Sequence, residues 1–146
     1  MRGNMRLGRI AGIAITINWS TLILGTLIFI SLVATLPGGY PGLLAWVYWC
    51  LSAAAVTLFY ISLLAHELSH AVVARRRGLV VEGVTLWLFG GVASINDDDQ
   101  TAKTEWRMAL TGPVTSLVLG SAFLLISVGL ISAGAPTVVS AIPSWL

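Results

Sequence analysis

LLAWVYWCLSAAAVTLFYISLLA, residues Leu43 to Ala65, is a run of 23 residues without a charge, followed at once by His66-Glu67-Leu68-Ser69-His70 and then by Arg75-Arg76-Arg77. Read as one helix from Leu43 to about Arg76, it would be roughly 50 Å long at 1.5 Å per residue, against a hydrocarbon core of about 30 Å. One end must leave the lipid, and the arginines mark which. His66 and His70 lie nine and five residues before Arg75, which puts them roughly 8–14 Å below the arginine level. They fall inside the membrane margin, where water can reach from one side.

Residues four apart on a helix share a face, with Cβ atoms about 6 Å apart. His66 and His70 are therefore placed to share one metal ion at Zn–N distances of about 2.0–2.1 Å. Glu67 lies about 100° further round the turn, close enough to take a proton from water at the metal. This is the H-E-x-x-H pattern of zinc hydrolases, with the glutamate as general base. The competing reading is a pair of structural histidines. Against it, these are the only two histidines in the chain, and ionisable groups at the edge of an apolar span are costly and usually functional.

Hydrophobic residues make up 57% of the 146 positions and charged ones 10%, and the mean hydropathy is +0.91. A water-soluble domain of this size cannot bury so much apolar surface, so the composition implies an integral membrane protein with the lipid bilayer as its surroundings. No nucleic-acid role is supported, because the basic residues flank apolar spans rather than forming a stripe with aromatics. Cys50 is the single cysteine, so no internal disulfide is possible, and it reads as packing within an apolar run. No internal repeat or low-complexity segment is present.

Met1 to Arg9 carries three arginines and no acid, a cytoplasmic anchor by the positive-inside rule. The apolar stretch that follows is too long for the 7–15-residue core of a secretory signal. Ile13, Ile15 and Ile17 alternate with smaller or polar residues, the period of a strand. A first span follows from about Trp19 to Leu36, closed by a turn at Pro37-Gly38-Gly39-Tyr40-Pro41-Gly42. Gly78 ends the histidine-bearing helix after its cationic last turn. The stretch from Leu79 to Ile95 is too glycine-interrupted for a span and reads as two strands, about Val80–Glu82 and Thr85–Ala93. With the Ile13–Ile17 strand these would form a small sheet at the membrane face. Asp97-Asp98-Asp99 opens a polar loop. A third span runs from about Thr104 to Ile131, kinked or locally shaped at Gly112-Pro113.

All eight lysines and arginines, Arg2, Arg6, Arg9, Arg75, Arg76, Arg77, Lys103 and Arg107, then fall on one side of a three-span chain. That side is the cytoplasm, and the N-terminus lies there. The fold class is an all-α polytopic membrane protein: three transmembrane helices plus a small membrane-face β-sheet, in a single domain over residues 1–146.

With these residues in place the chain resembles the site-2 protease family of intramembrane zinc metalloproteases, in its bacterial branch. The resemblance rests on Gly8-Arg9-Ile10 with Asn18-Trp19-Ser20, on His66-Glu67-Leu68-Ser69-His70, on Phe89-Gly90-Gly91-Val92-Ala93 and on Gly112-Pro113-Val114-Thr115-Ser116, in that order. It implies a zinc metalloendopeptidase of a bacterial cell membrane, with Zn2+ on His66 and His70 and Glu67 as catalytic base. It also implies a transmembrane protein substrate, paired as an extended strand beside Gly90, Gly91, Val92 and Ala93. Strand addition suits such an enzyme, since a transmembrane helix must unwind before its peptide bonds can be reached. Where many relatives have His-Trp-Ser, this chain has Asn18-Trp19-Ser20.

The family draws its third zinc ligand from an aspartate in a later span, within a Leu-Asp-Gly motif that this sequence lacks. The chain is accordingly expected to be truncated before that span, with the C-terminal part of the family core absent. A catalytic zinc wants three protein ligands and an open position. Asp97 to Asp99, a partner chain or a second copy in a homo-oligomer are the available sources of the third. Two other readings follow: a catalytically incomplete membrane fragment that binds metal or partners without hydrolysis, and a metal transporter. The transporter is the weakest, because the other spans offer only Ser, Thr and small residues along a path.

Overall fold

The structure, a computed structural model, describes residues 4–88, 90–96 and 102–134. In chain order the elements are β1 (Asn4–Ile10), β2 (Ile13–Asn18), α1 (Ser20–Gly39), α2 (Ala45–Arg76), β3 (Val80–Trp87), β4 (Gly90–Asn96) and α3 (Ala102–Ser132). Each helix holds an 18-residue stretch apolar enough to cross a membrane, with mean hydropathy 2.0 in Ser20–Gly39, 1.8 in Ala45–Arg76 and 2.3 in Trp106–Ser132. Their outward side chains are large and apolar, among them Leu27, Leu117 and Leu125, exposed by 60%, 71% and 71%. Surface of that kind is stable only against lipid. The architecture is thus three membrane-spanning helices and one small sheet.

Contacts gather into two units, Met1–Ile23 with Ser62–Ser116, and Leu24–Ile61 with Leu117–Leu146. The first contains the sheet, in the order β1-β2-β3-β4. β1 and β2 form an antiparallel hairpin, β2 and β3 are parallel, and β3 and β4 are antiparallel. A parallel pair needs a long crossover, and here α1 and α2 supply it. Ile15 pairs with Val84 and Ile17 with Leu86, so alternation puts these apolar side chains on one face. Ile13, Ile15, Val84 and Leu86 are buried there with Ala71 of α2, and Leu64, Leu68 and Val72 pack against them. Positions 64, 68, 71 and 72 make one helical stripe. His66 and His70 are each two residues from Leu68, about 200° round the helix, and therefore point away from the sheet.

Polar contacts fix the ends of these elements. Gly78, at φ 86°, closes α2: its N–H donates to the Arg75 carbonyl at 3.0 Å and that of Leu79 to the Ala74 carbonyl at 3.2 Å, the paired bonds of a Schellman cap. The Arg75 guanidinium donates to the carbonyl of Ala11. Ala11 and Gly12 both have positive φ, 51° and 78°, as a two-residue hairpin turn of the twisted type requires. Thr21 Oγ1 donates to the Leu86 carbonyl at 2.9 Å, and Ser20 Oγ accepts from the Leu88 N–H at 3.1 Å. These two bonds tie the start of α1 to the end of β3. In the second unit, Tyr60 lies so close to Gly25 that a Cβ there would come within 2.9 Å of its Cε2. Phe29 and Trp49 meet edge-on at 6.1 Å. Tyr48 OH donates to the Tyr40 carbonyl at 2.6 Å and accepts from the Leu43 N–H at 3.2 Å, holding the turn between α1 and α2.

The structure differs from the sequence reading at three places. The basic N-terminal segment, read from sequence as an anchor, is a strand: Asn4 to Ile10 form β1, a fourth strand whose residues are all exposed. Gly83 does not separate two strands. It lies within β3, beside a register shift between Val81 and Gly83, and a Cβ there would stand 2.9 Å from the Ala14 carbonyl oxygen. Glycine here allows β2 to approach closely, and the chain reverses instead between Trp87 and Gly90. Pro37 does not end the first helix, which runs to Gly39. In lipid, backbone groups have no water to turn to, so losing one bond at proline costs less than abandoning the turn.

Replacing Gly12 with alanine should lower stability by about 1–2 kcal/mol, the cost of a left-handed residue with a side chain. The added methyl also meets Arg75, 3.3 Å from Cζ. Denaturant titration in detergent micelles checks this, with Gly120→Ala, where a methyl meets nothing within 4 Å, expected to lose nothing.

Candidate metal centre

The site is assembled where α2 passes α3 within the first unit. His66 and His70 are both partly buried, and Glu67 is buried. The ring centroids of the two histidines are 5.0 Å apart with planes at 72°. Their Nε2 atoms stand 3.3 Å apart. Two ligands at about 2.05 Å in a tetrahedral shell are separated by about 3.3–3.4 Å, so the spacing is that of adjacent zinc ligands.

The other ring nitrogens are both engaged. His70 Nδ1 is 2.7 Å from the Met108 carbonyl. A carbonyl only accepts, so this nitrogen carries the proton and Nε2 keeps its lone pair. His66 Nδ1 is 2.8 Å from Ser116 Oγ, which can accept a proton in the same sense. Metal-binding histidines characteristically donate their second nitrogen in this way, which sets tautomer and ring angle.

Gly112 lies over the pair. A Cβ built on it would fall inside the van der Waals envelope of both Nε2 atoms and 2.7 Å from His66 Cε1. A side chain at this position would press on both Nε2 atoms at once. The residues therefore fit a divalent metal: two imidazoles with their Nε2 atoms at the spacing of adjacent ligands, their second nitrogens hydrogen-bonded, and no side chain at position 112 to press on them. Gly91, the second residue of β4, makes a similar approach to Glu67, whose Oε1 would be 2.9 Å from a Cβ there.

The model of Peptidase family M50 matches residues 54–143, well over half of the chain. The chain belongs to Peptidase family M50. Rip3 of Mycobacterium tuberculosis is 45% identical over 146 residues, which are 100% of this chain and 37% of Rip3. The Synechocystis protein sll0528 is 35% identical over 119 residues, 82% of this chain and 31% of that protein. MJ0392 of Methanocaldococcus jannaschii is 32% identical over 81 residues, 56% of this chain and 22% of that protein. The words zinc metalloprotease stand in the names of all three. This M50 chain thus spans 37% of the length of Rip3, 31% of sll0528 and 22% of MJ0392. The solved site-2 protease from M. jannaschii aligns with 97% of this chain and 61% of its own, at TM-score 0.57 and 22% identity, a likeness of fold.

The structure brings His66, Glu67, His70 and Gly91 together. Gly90, Val92 and Ala93 follow in β4, where their Cα partners on β3 are Trp87, Thr85 and Val84. β4 is the last strand in the sheet order. Among the described residues, no group of three or more His, Cys, Asp or Glu could hold a metal ion. Asp97-Asp98-Asp99 lies outside the described residues. Sequence reasoning missed the contacts of Met108 and Ser116, although the signal was available: Met108, Gly112 and Ser116 are spaced by four and form one stripe of α3.

Gly112→Ala should press a methyl against both Nε2 atoms and force the rings apart. Zinc affinity, read by competition with a chromophoric chelator, should fall by more than the ~10–100-fold typical of damage behind a ligand. Gly129→Ala, at an open position of the same helix, should bind as the parent chain does.

Proposed function

We propose that this chain is the zinc-binding, N-terminal part of an intramembrane metalloprotease that hydrolyses peptide bonds of transmembrane proteins. The observation that carries the reading is the Nε2–Nε2 separation of 3.3 Å with both Nδ1 atoms held by hydrogen bonds, next to a buried glutamate in an M50 chain. Zinc on His66 and His70 would supply Lewis acidity, acidifying a water and polarising the scissile carbonyl.

Glu67 is the base in this scheme. It takes the proton of the attacking water and hands it to the leaving amine as the peptide bond breaks. Gly91 has no side chain to come between Glu67 and a peptide laid along β4. A substrate unwound from its helix would add to that edge through main-chain bonds, which satisfies the backbone groups its unwinding exposes. The arginines at the sheet end of the chain put the N-terminus and this face on the cytoplasmic side.

A second reading is favoured by one observation, the absence of a third metal ligand among the described residues: a membrane module that binds metal or partners without hydrolysis. In that case a partner chain or a further part of the protein supplies the missing ligand.

The two readings part on a comparison of this chain with Glu67→Gln in bilayers containing a transmembrane substrate. The protease reading expects cleavage to fall by at least ~10²-fold, the contribution of a general base, with zinc still bound at one per chain. Cleavage that survives the substitution removes Glu67 as base. Zinc retained by the parent chain with no cleavage in either form decides for the incomplete module.

A further inference from the structure

The two histidines are held by unlike means. His70 is oriented by a backbone carbonyl, that of Met108 at 2.7 Å, which no substitution at position 108 removes. His66 is oriented by a side chain, Ser116 Oγ at 2.8 Å, from a residue 50 positions away in sequence. Ser116 is exposed, and its helix neighbours Leu117 and Val118 are exposed by 71% and 61%, so its surroundings are apolar. In such surroundings a hydroxyl and an imidazole N–H gain most from each other, because lipid offers neither a substitute partner.

We propose that Ser116 is a positioning residue for the metal centre: its hydroxyl accepts a hydrogen bond from the Nδ1–H of His66, fixes the ring angle and keeps Nε2 free as a ligand. The inference rests on the metal reading above and deepens it. Without the hydroxyl, His66 can rotate about its Cβ–Cγ bond. It can also take the tautomer with hydrogen on Nε2, which has no lone pair to give at the metal. His70 has no such freedom, because the Met108 carbonyl accepts from one tautomer alone. The weak half of the cradle is therefore the His66 half. Ser116 lies one helical turn beyond Gly112, so one face of α3 both makes room for the two rings and holds one of them.

Three variants of the full chain in detergent micelles test this: Ser116→Ala, Ser116→Thr and His66→Ala. The readouts are Zn2+ affinity by chelator competition, the visible spectrum of the Co2+-substituted protein, and the melting temperature without metal. Ser116→Ala should bind zinc about 10–100-fold more weakly than the parent and lose intensity in the Co2+ bands, with its metal-free melting temperature unchanged. Ser116→Thr, which keeps the hydroxyl, should restore most of the affinity. His66→Ala should bind more weakly still. Ser116→Ala binding with parental affinity and spectrum, while His66→Ala does not, overturns the positioning role and leaves the metal centre standing. A fall in affinity that Thr does not rescue, with a matching loss of melting temperature, makes Ser116 a packing residue and also overturns it. Parent and His66→Ala binding zinc equally would remove the metal centre itself, and this inference with it.

Discussion

An imidazole at the edge of a membrane has two nitrogens to satisfy, and the rest of this site follows from how the second one is satisfied. Left without a partner, a polar nitrogen away from water costs free energy comparable to a lost hydrogen bond. α3 provides both partners, a carbonyl at Met108 and a hydroxyl at Ser116. To do so it must run close beside α2, and at Gly112 there is no room for a Cβ against the two histidine rings. Any larger residue there would press on both Nε2 atoms. The same glycine thus serves two requirements, helix approach and an open ligand position. Neither could be met by alanine.

On its other side α2 is clamped by apolar packing. Leu64, Leu68, Ala71 and Val72 meet the inner face of the sheet, the Schellman cap at Gly78 ends the helix, and Arg75 grips the hairpin turn at Ala11. A rigid helix is what two ligands spaced by one turn need, since their separation is then set by helix geometry rather than by loop conformation. Glu67, one residue on from His66, is carried along by the same rigidity and comes to lie beneath Gly91 of β4. The sheet therefore does two jobs, fixing the helix and placing a strand edge beside the glutamate.

Much of this was legible in the sequence because long apolar runs and H-E-x-x-H spacing are strong, local signals. The three spans, their order, the strand at Ile13 to Ile17 and the stop at Gly78 all follow from periodicity and helix-end chemistry. What stayed hidden depended on non-local contact. β1 carries arginines and gives no alternating pattern, so its strand exists by pairing with β2 rather than by propensity. Gly83 looked like a break because glycine weakens strands, yet its cause is the Ala14 carbonyl across the parallel pair. The Ser116 contact spans 50 positions, and a lone serine in an apolar helix most often bonds back to its own backbone.

The irregular chain near the site has its own logic. Backbone at membrane depth must have all of its hydrogen bonds, which is why helices and closed sheets dominate there. An open sheet edge is tolerable only where water reaches or where something is added to it. β4 sits at the end of the strand order, against the buried glutamate, and it begins with two glycines. An edge designed only to be protected would carry charge, proline or a covering element. Gly90 and Gly91 carry none of these, and at Gly91 the missing side chain leaves room for Glu67. On the proposed function the strand serves the substrate: a peptide pulled out of its helix loses its internal bonds, and pairing with β4 would replace them beside Glu67.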